Sequence, residues 1–128
     1  MKHEWTFYAE VVSVVDGDTL KLNVDKGFRD FRINENFRLA RINAPELRKA
    51  DPAGHDSKNA LYRFLVKEWE YSNEANNPKT WKPLIIKSSK HGKYRWVIEV
   101  FVQDKDGEFS INVNDWMVEN GHAVYQEY

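Results

Sequence analysis

Two short stretches of the sequence carry acidic, amide and arginine side chains at close spacing. Asp16 to Thr19 reads Asp-Gly-Asp-Thr, and Phe37 to Glu46 reads Phe-Arg-Leu-Ala-Arg-Ile-Asn-Ala-Pro-Glu. Carboxylate and amide oxygens ligate hard cations, and a guanidinium is suited to the oxygens of a phosphate. Each stretch alone also has a structural interpretation, because hairpin turns use Asp and Gly and an arginine in a strand can be an edge charge.

A third stretch, Lys93 to Trp96, reads Lys-Tyr-Arg-Trp and makes the set more specific. In order and spacing the three stretches resemble the staphylococcal nuclease (thermonuclease) family. The family pattern runs approximately Asp-Gly-Asp-Thr, then Arg-Leu-x-x-x-Asp-x-Pro-Glu, then Tyr-Gly-Arg. The stretch from Val118 to Ala123 also fits the family, so the resemblance covers about residues 7 to 125.

The resemblance implies a calcium-dependent endonuclease that cuts DNA and RNA and leaves 3′-phosphate ends. Asp18, the side-chain oxygen of Asn43 and the backbone carbonyl of Ala44 match the family's Ca²⁺ ligands. Asp16 is expected beside them as a residue that supports the ligands. Because the chain has no cysteine, oxygen or histidine must supply any metal ligand.

The resemblance also implies the catalytic residues. Phosphodiester hydrolysis needs a water in line with the bond, a charge-neutralising group at the phosphoryl oxygens, and a group that orients or deprotonates the water. Arg38 and Arg95 match the two arginines that hold the phosphate. Glu46 matches the carboxylate that acts as general base or orients the water, and these two roles stay open.

The sequence departs from the family pattern at two places. Asn43 stands where an aspartate is usual, and the loss of one negative charge predicts calcium binding weaker by about tenfold or more. The glycine before the second arginine is missing, so that Lys93 is the alternative to Arg95 as second phosphate contact. Lys90, Lys93 and Tyr94 are predicted to contact the phosphates or bases of the polymer, although a basic run is also typical of a solvated surface.

Three functions are compatible with these residues. The first is the endonuclease, and the second is a catalytically weak or inactive nucleic-acid-binding module of the same fold. The third, a binder of oligosaccharide or peptide, has only the expected fold in its favour. Retention of Asp18, Arg38 and Glu46 favours the enzyme.

The elements that must position these residues are mainly β-strands. Apolar residues alternate with polar ones in the predicted strands, and Asp-Gly and Lys-Gly turns separate them. Five strands are predicted: Trp5 to Val15, Thr19 to Val24, Phe31 to Ile42, Trp81 to Lys87 and Arg95 to Val102, the last two joined by a basic turn from Ser88 to Gly92.

Two helices complete the prediction. The first runs from Ser57 to Tyr71 with Asp56 or Ser57 as its cap, because Leu61, Phe64, Leu65 and Trp69 fall on one helical face. The second runs from Val113 to Asn120 and ends at Gly121. Five strands with interposed helices predict a small, partly open barrel of the oligonucleotide/oligosaccharide-binding (OB) type.

Length and composition set the remaining expectations. The chain has 128 residues, of which 41% are hydrophobic, so we expect a single folded domain over residues 1–128. The absence of cysteine excludes disulfides, thiolate metal sites and cysteine nucleophiles. No apolar leader or long apolar run is present, which favours a cytoplasmic location or a chain that is already processed. We also expect a monomer that does not bind membranes.

Overall fold

The computed structural model describes residues 6–28, 31–46, 52–68, 80–91 and 96–126, and for 31–33, 68 and 89–91 it describes the backbone alone. Most of the described chain is β-structure, with two helices. The elements in chain order are β1 (Thr6–Asp16), β2 (Thr19–Asp25), β3 (Phe31–Leu39), β4 (Ile42–Asn43), α1 (Pro52–Leu65), β5 (Val66–Glu68), β6 (Thr80–Trp81), β7 (Leu84–His91), β8 (Trp96–Val102), β9 (Ile111–Asn112), α2 (Val113–Glu119) and β10 (Val124–Tyr125).

Five of these strands close into a barrel. The antiparallel sheet runs in the order β3-β2-β1-β7-β8, and β3 then pairs in parallel with β8. The predicted five-stranded OB-type barrel with helices is therefore confirmed. The barrel is closed where a partly open one was expected, because Phe37, Arg38 and Leu39 pair with Trp96, Val97 and Ile98.

The alternation of apolar residues explains how the barrel is filled. Successive side chains of a strand point to opposite faces, and Leu20, Leu22 and Val24 of β2 are all buried, with 0–3% of their surface exposed. Leu61 and Leu65 of α1 join the same core. The rings of Phe64 and Trp116 stack with their centroids 4.0 Å apart and connect α1 to α2.

The first helix differs from the prediction at both ends. It begins at Pro52, and proline is favourable in the first helical turn because its missing N–H would have no partner there. Asp56 and Ser57 are therefore not caps. Ser57 is buried within the helix and donates from Oγ to the carbonyl of His122 at 2.7 Å. The helix ends at Leu65 because residues 66–68 pair as a strand with β6, and Trp69 lies outside the described residues.

The strand β7 also differs from the prediction. It begins at Leu84, after Pro83, and continues to His91. The ladder with β8 shifts register between Ser88 and Lys90, which is how a strand accommodates an extra residue without ending. The predicted turn is therefore wrong for residues 88–91.

The second helix agrees with the prediction to within one residue. Asn112 is its N-cap and accepts from the Asp115 amide at 3.0 Å, and Asn120 is its C-cap. Gly121 has a φ of +79°, the left-handed conformation that commonly ends a helix. Neither helix in the described residues combines the length and apolar character needed to cross a membrane.

Candidate active site

The turn between β1 and β2 packs closely against α1 and the segment after β4. A methyl group on Gly17 would lie 2.8 Å from the Cβ atoms of both Ala44 and Ser57, much closer than such atoms approach in proteins. Glycine is therefore required for this approach. The approach brings the following residue, Asp18, next to Ala44.

Asp18 is buried, and both of its carboxylate oxygens are engaged. Oδ2 lies 2.7 Å from Nη1 of Arg38 and accepts from the Ala44 amide at 2.9 Å. Oδ1 accepts from the hydroxyl of Thr19 at 3.1 Å, and the Asp18 amide donates to Oδ1 of Asp16 at 3.0 Å. A single carboxylate thus connects β2, β3 and the segment after β4.

The guanidinium of Arg38 contacts two oxygens besides that of Asp18. Its Nη2 donates at 3.2 Å to Oδ1 of Asn43 and at 3.2 Å to the carbonyl of Ile42. The Arg38 side chain is 18% exposed, so it reaches the surface from a strand whose flanking side chains, Phe37 and Leu39, are buried in the barrel. The structure therefore brings together four residues singled out in the sequence: Asp18, Arg38, Asn43 and Ala44.

A surface groove adjoins these residues. It is lined by Asn43, Ala44 and Pro45 and by residues 121–124, which follow α2 and include the first residue of β10. Its volume is about 280 Å³. The exposed residue Asn43 thus contacts Arg38 and also lines this groove.

The structure describes only some of the remaining predicted site residues. Glu46 is exposed and ends the described segment that begins with β3. Lys90 belongs to β7 and is paired with Val97, but its side chain is not described. Lys93, Tyr94 and Arg95 lie outside the described residues, and β8 begins at the next residue, Trp96. The choice between Arg95 and Lys93 stays a prediction.

The two aspartates of the β1–β2 turn have opposite pKa shifts. Burial raises the pKa of Asp18, but the hydrogen bonds from Asp16 and the Ala44 amide and the charge of Arg38 outweigh it, and the net pKa is lowered. Burial, followed by the hydrogen bond with Asp18, raises the pKa of Asp16. Asp18 is therefore the more acidic member of the pair.

The side-chain oxygens of this cluster are of the type that hard cations bind. Asp16, Asp18 and Asn43 supply only oxygens, and two adjacent carboxyls, one of them with a raised pKa, are a place where a divalent cation would relieve repulsion. Among the described residues, no three His, Asp or Glu side chains come together to hold a metal ion. Calcium takes about six to eight oxygen ligands, so backbone carbonyls and water must complete the set.

One buried polar residue, Asn114, was not predicted from the sequence. Asn114 of α2 is completely buried. Its Nδ2 donates to the carbonyls of Ala40 and Ile98 at 2.9 and 3.0 Å, and its Oδ1 accepts from the Val100 amide at 3.1 Å. The only available signal was a polar residue between Val113 and Met117, on the buried face of a predicted helix.

No family model matches the chain, and no curated protein matches it. Assignment of a function therefore depends on the residues of the cluster and on their geometry.

Proposed function

We propose that this chain is a calcium-dependent endonuclease of the staphylococcal nuclease type, which hydrolyses phosphodiester bonds in DNA and RNA. The observation that carries the proposal is the position of one guanidinium. Arg38 lies 2.7 Å from a carboxylate oxygen of Asp18 and 3.2 Å from the amide oxygen of Asn43. A group suited to phosphate oxygens and two side chains suited to a hard cation are thus direct neighbours.

Asp18, the Asn43 side chain and the Ala44 carbonyl would hold the Ca²⁺. When bound, the cation supplies a Lewis acid that polarises a phosphoryl oxygen and makes water more acidic. Asp18 needs no deprotonation step at neutral pH, because its pKa is lowered by its hydrogen bonds and by Arg38, which outweigh burial. The Ala44 amide fixes the orientation of the carboxylate through a bond of 2.9 Å.

Arg38 supplies the phosphate contact. Its Nη1 and Nη2 donate to protein oxygens, and the two non-bridging oxygens of a phosphodiester, which share one negative charge, can accept from the same N–H groups. A planar guanidinium can donate to both oxygens at once. In that position it neutralises the charge that builds up as the bond to phosphorus breaks. Arg95, or Lys93 in its place, is the proposed second contact.

Glu46 is the proposed partner of the attacking water. It follows Asn43 and Ala44 in the same segment and is exposed to solvent. Its carboxylate either orients this water or takes its proton. Lys90, Lys93 and Tyr94 are proposed to hold the flanking nucleotides through their phosphates and bases.

A second candidate is a nucleic-acid-binding module that does not cleave. The neutral amide at Asn43 favours it, together with the lack of a cluster of three acidic or histidine side chains in the described residues. Such a module would retain nucleic acid through its basic residues. Calcium would not change the length of the bound polymer.

Digestion of a supercoiled plasmid and of single-stranded RNA separates these candidates. The wild-type chain is expected to cut both in calcium and neither in a chelator. Glu46→Gln should slow cutting by about 10²-fold or more, whereas the matched variant Glu119→Gln, at an exposed position of α2, should cut like the wild type. If the chain binds nucleic acid in a gel-shift assay but does not cut it in calcium, the enzyme proposal is wrong and the binding module is favoured.

A further inference from the structure

Arg41, in the turn before β4, and Tyr125, in β10, both contact the same carboxylate oxygen of Asp115. Nη2 of Arg41 lies 3.0 Å from Oδ1 of Asp115. The hydroxyl of Tyr125 donates to that same oxygen, also at 3.0 Å. Asp115 lies on α2, outside the pair of strands that it connects.

The pair of strands that is tied in this way carries Asn43. Tyr125 pairs with Ile42 and Val124 pairs with Asn43, and the Gln126 amide donates to the Arg41 carbonyl at 2.8 Å. The ladder is two residues long on each side. Such a short pairing is marginal without additional contacts, and Val124 and Tyr125 are 61% and 55% exposed.

Arg41 adds a second anchor on the barrel. Its Nε and Nη2 donate to the two carboxylate oxygens of Glu99 at 2.9 and 2.6 Å. Glu99 is in β8, and its Oε1 also accepts from Nδ2 of Asn112 at 3.0 Å. A bidentate pair within a network restrains geometry more than an isolated surface ion pair does. These contacts stabilise the backbone conformation of Arg41, whose φ of +65° is unfavourable for residues other than glycine.

We propose that Asp115 and Tyr125 are positioning residues for the candidate site. By holding β10 and the Arg41 turn together, they hold Asn43 and Ala44 in contact with Arg38 and Asp18. The effect on calcium rests on the proposed function, but the effect on the position of Ala44 does not.

Two variants remove this restraint to different extents. Tyr125→Phe removes one oxygen atom and leaves the ring beside the Arg41 guanidinium, whose carbon lies 5.9 Å from the ring centroid. Asp115→Ala removes the acceptor for both residues. The matched control is Tyr8→Phe, since Tyr8 is also exposed, at 64%, and lies on β1 in edge contact with Phe109.

The first measurement is amide hydrogen exchange of the metal-free protein. The Ala44 amide reports the position of the segment, because it donates to Asp18. In Tyr125→Phe we expect its exchange to be faster by about threefold to tenfold, as for loss of one hydrogen bond, and in Asp115→Ala faster still. The amide of Leu22, within the barrel, should exchange as in the wild type.

The second measurement is a calorimetric titration with Ca²⁺. Tyr125→Phe should bind calcium about threefold to tenfold more weakly than both the wild type and Tyr8→Phe. If Ala44 exchanges no faster in Tyr125→Phe and Asp115→Ala than in Tyr8→Phe, the positioning role is overturned. If the wild type itself binds no calcium, the proposed cofactor is wrong, and the exchange rates still decide the positioning role.

Discussion

Arg38 and Asp18 form an ion pair of 2.7 Å that joins the end of β3 to the start of β2. The same guanidinium also contacts Asn43. The side chains proposed to bind the cation and the phosphate are therefore already in contact with one another. Binding of calcium and of a phosphodiester must exchange some of these contacts for new ones, so the two binding events should be coupled.

Asn43→Asp should raise the affinity for Ca²⁺ by about tenfold, since one added carboxylate ligand strengthens an all-oxygen site and tenfold corresponds to about 1.4 kcal/mol. Calorimetric titration measures this change. Gln103→Glu changes the net charge equally at an exposed position after β8 and should leave the affinity unaltered. An affinity of Asn43→Asp equal to the wild type would show that Asn43 is not a ligand.

Asp16→Asn should make the metal-free protein more stable at neutral pH. Burial and the hydrogen bond with Asp18 raise the pKa of Asp16, so the folded state holds this proton more tightly and loses stability as the pH rises through the folded-state pKa. The asparagine keeps an oxygen that can accept from the Asp18 amide and carries no charge.

Urea denaturation in a chelator measures this effect. The gain in Asp16→Asn should be absent at acidic pH, where Asp16 is protonated, and should emerge as the pH rises towards neutral. Asp18 behaves oppositely, because its lowered pKa stabilises the fold above the ordinary carboxyl range and that contribution is lost as the pH falls. A gain of the same size at every pH would contradict the assigned shift of Asp16.

Gly17→Ala should destabilise the protein by about 1–3 kcal/mol, because the new methyl group overlaps two Cβ atoms that cannot rotate away. It should also weaken calcium binding, since one of these atoms belongs to Ala44. Gly107→Ala serves as control: its φ of +84° costs about 1 kcal/mol for an alanine, but nothing lies within 4 Å of the added atom. Equal calcium affinities in the two variants would argue against the contact with Ala44.

Asn114→Ala should lower the free energy of unfolding by about 3 kcal/mol, because two carbonyls and one amide lose a buried partner. Equilibrium denaturation measures the loss. Asn59→Ala, at an exposed position of α1, should change stability by less than about 0.5 kcal/mol. A similarly small loss in Asn114→Ala would mean that water replaces its bonds.

The barrel could be predicted from the sequence because the alternation of apolar and polar residues that indicates a strand is a local pattern. Alternation at Leu20, Leu22 and Val24 depends on neighbours along one strand, and their burial follows. That Asp18 and Arg38 lie together was expected from the family resemblance, which assigns both residues to one site, and the two side chains form an ion pair. The start of α1 could not be predicted in this way, because serine is a favourable N-cap residue. Only the folded structure shows that the Ser57 hydroxyl donates to the distant carbonyl of His122.

The remaining parts of the site depend on contacts between distant segments. The strands β4 and β10 are too short to leave a periodic pattern, and Asn114 bonds to backbone atoms of β8 and the turn after β3. Nothing in the residues around Asn114 indicates these partners. The network of Arg41, Glu99 and Asp115 is likewise visible only after folding, because an exposed arginine in a sequence has many possible partners.

The most direct test of the proposed site is the rate of single-stranded DNA cleavage as a function of calcium concentration. The wild type should cut at a rate that rises with calcium and saturates, Asp18→Asn should not cut at any calcium concentration, and Asp106→Asn, in an exposed turn, should follow the wild type. Cleavage by Asp18→Asn with the wild-type calcium dependence would contradict a calcium site at Asp18 beside Arg38.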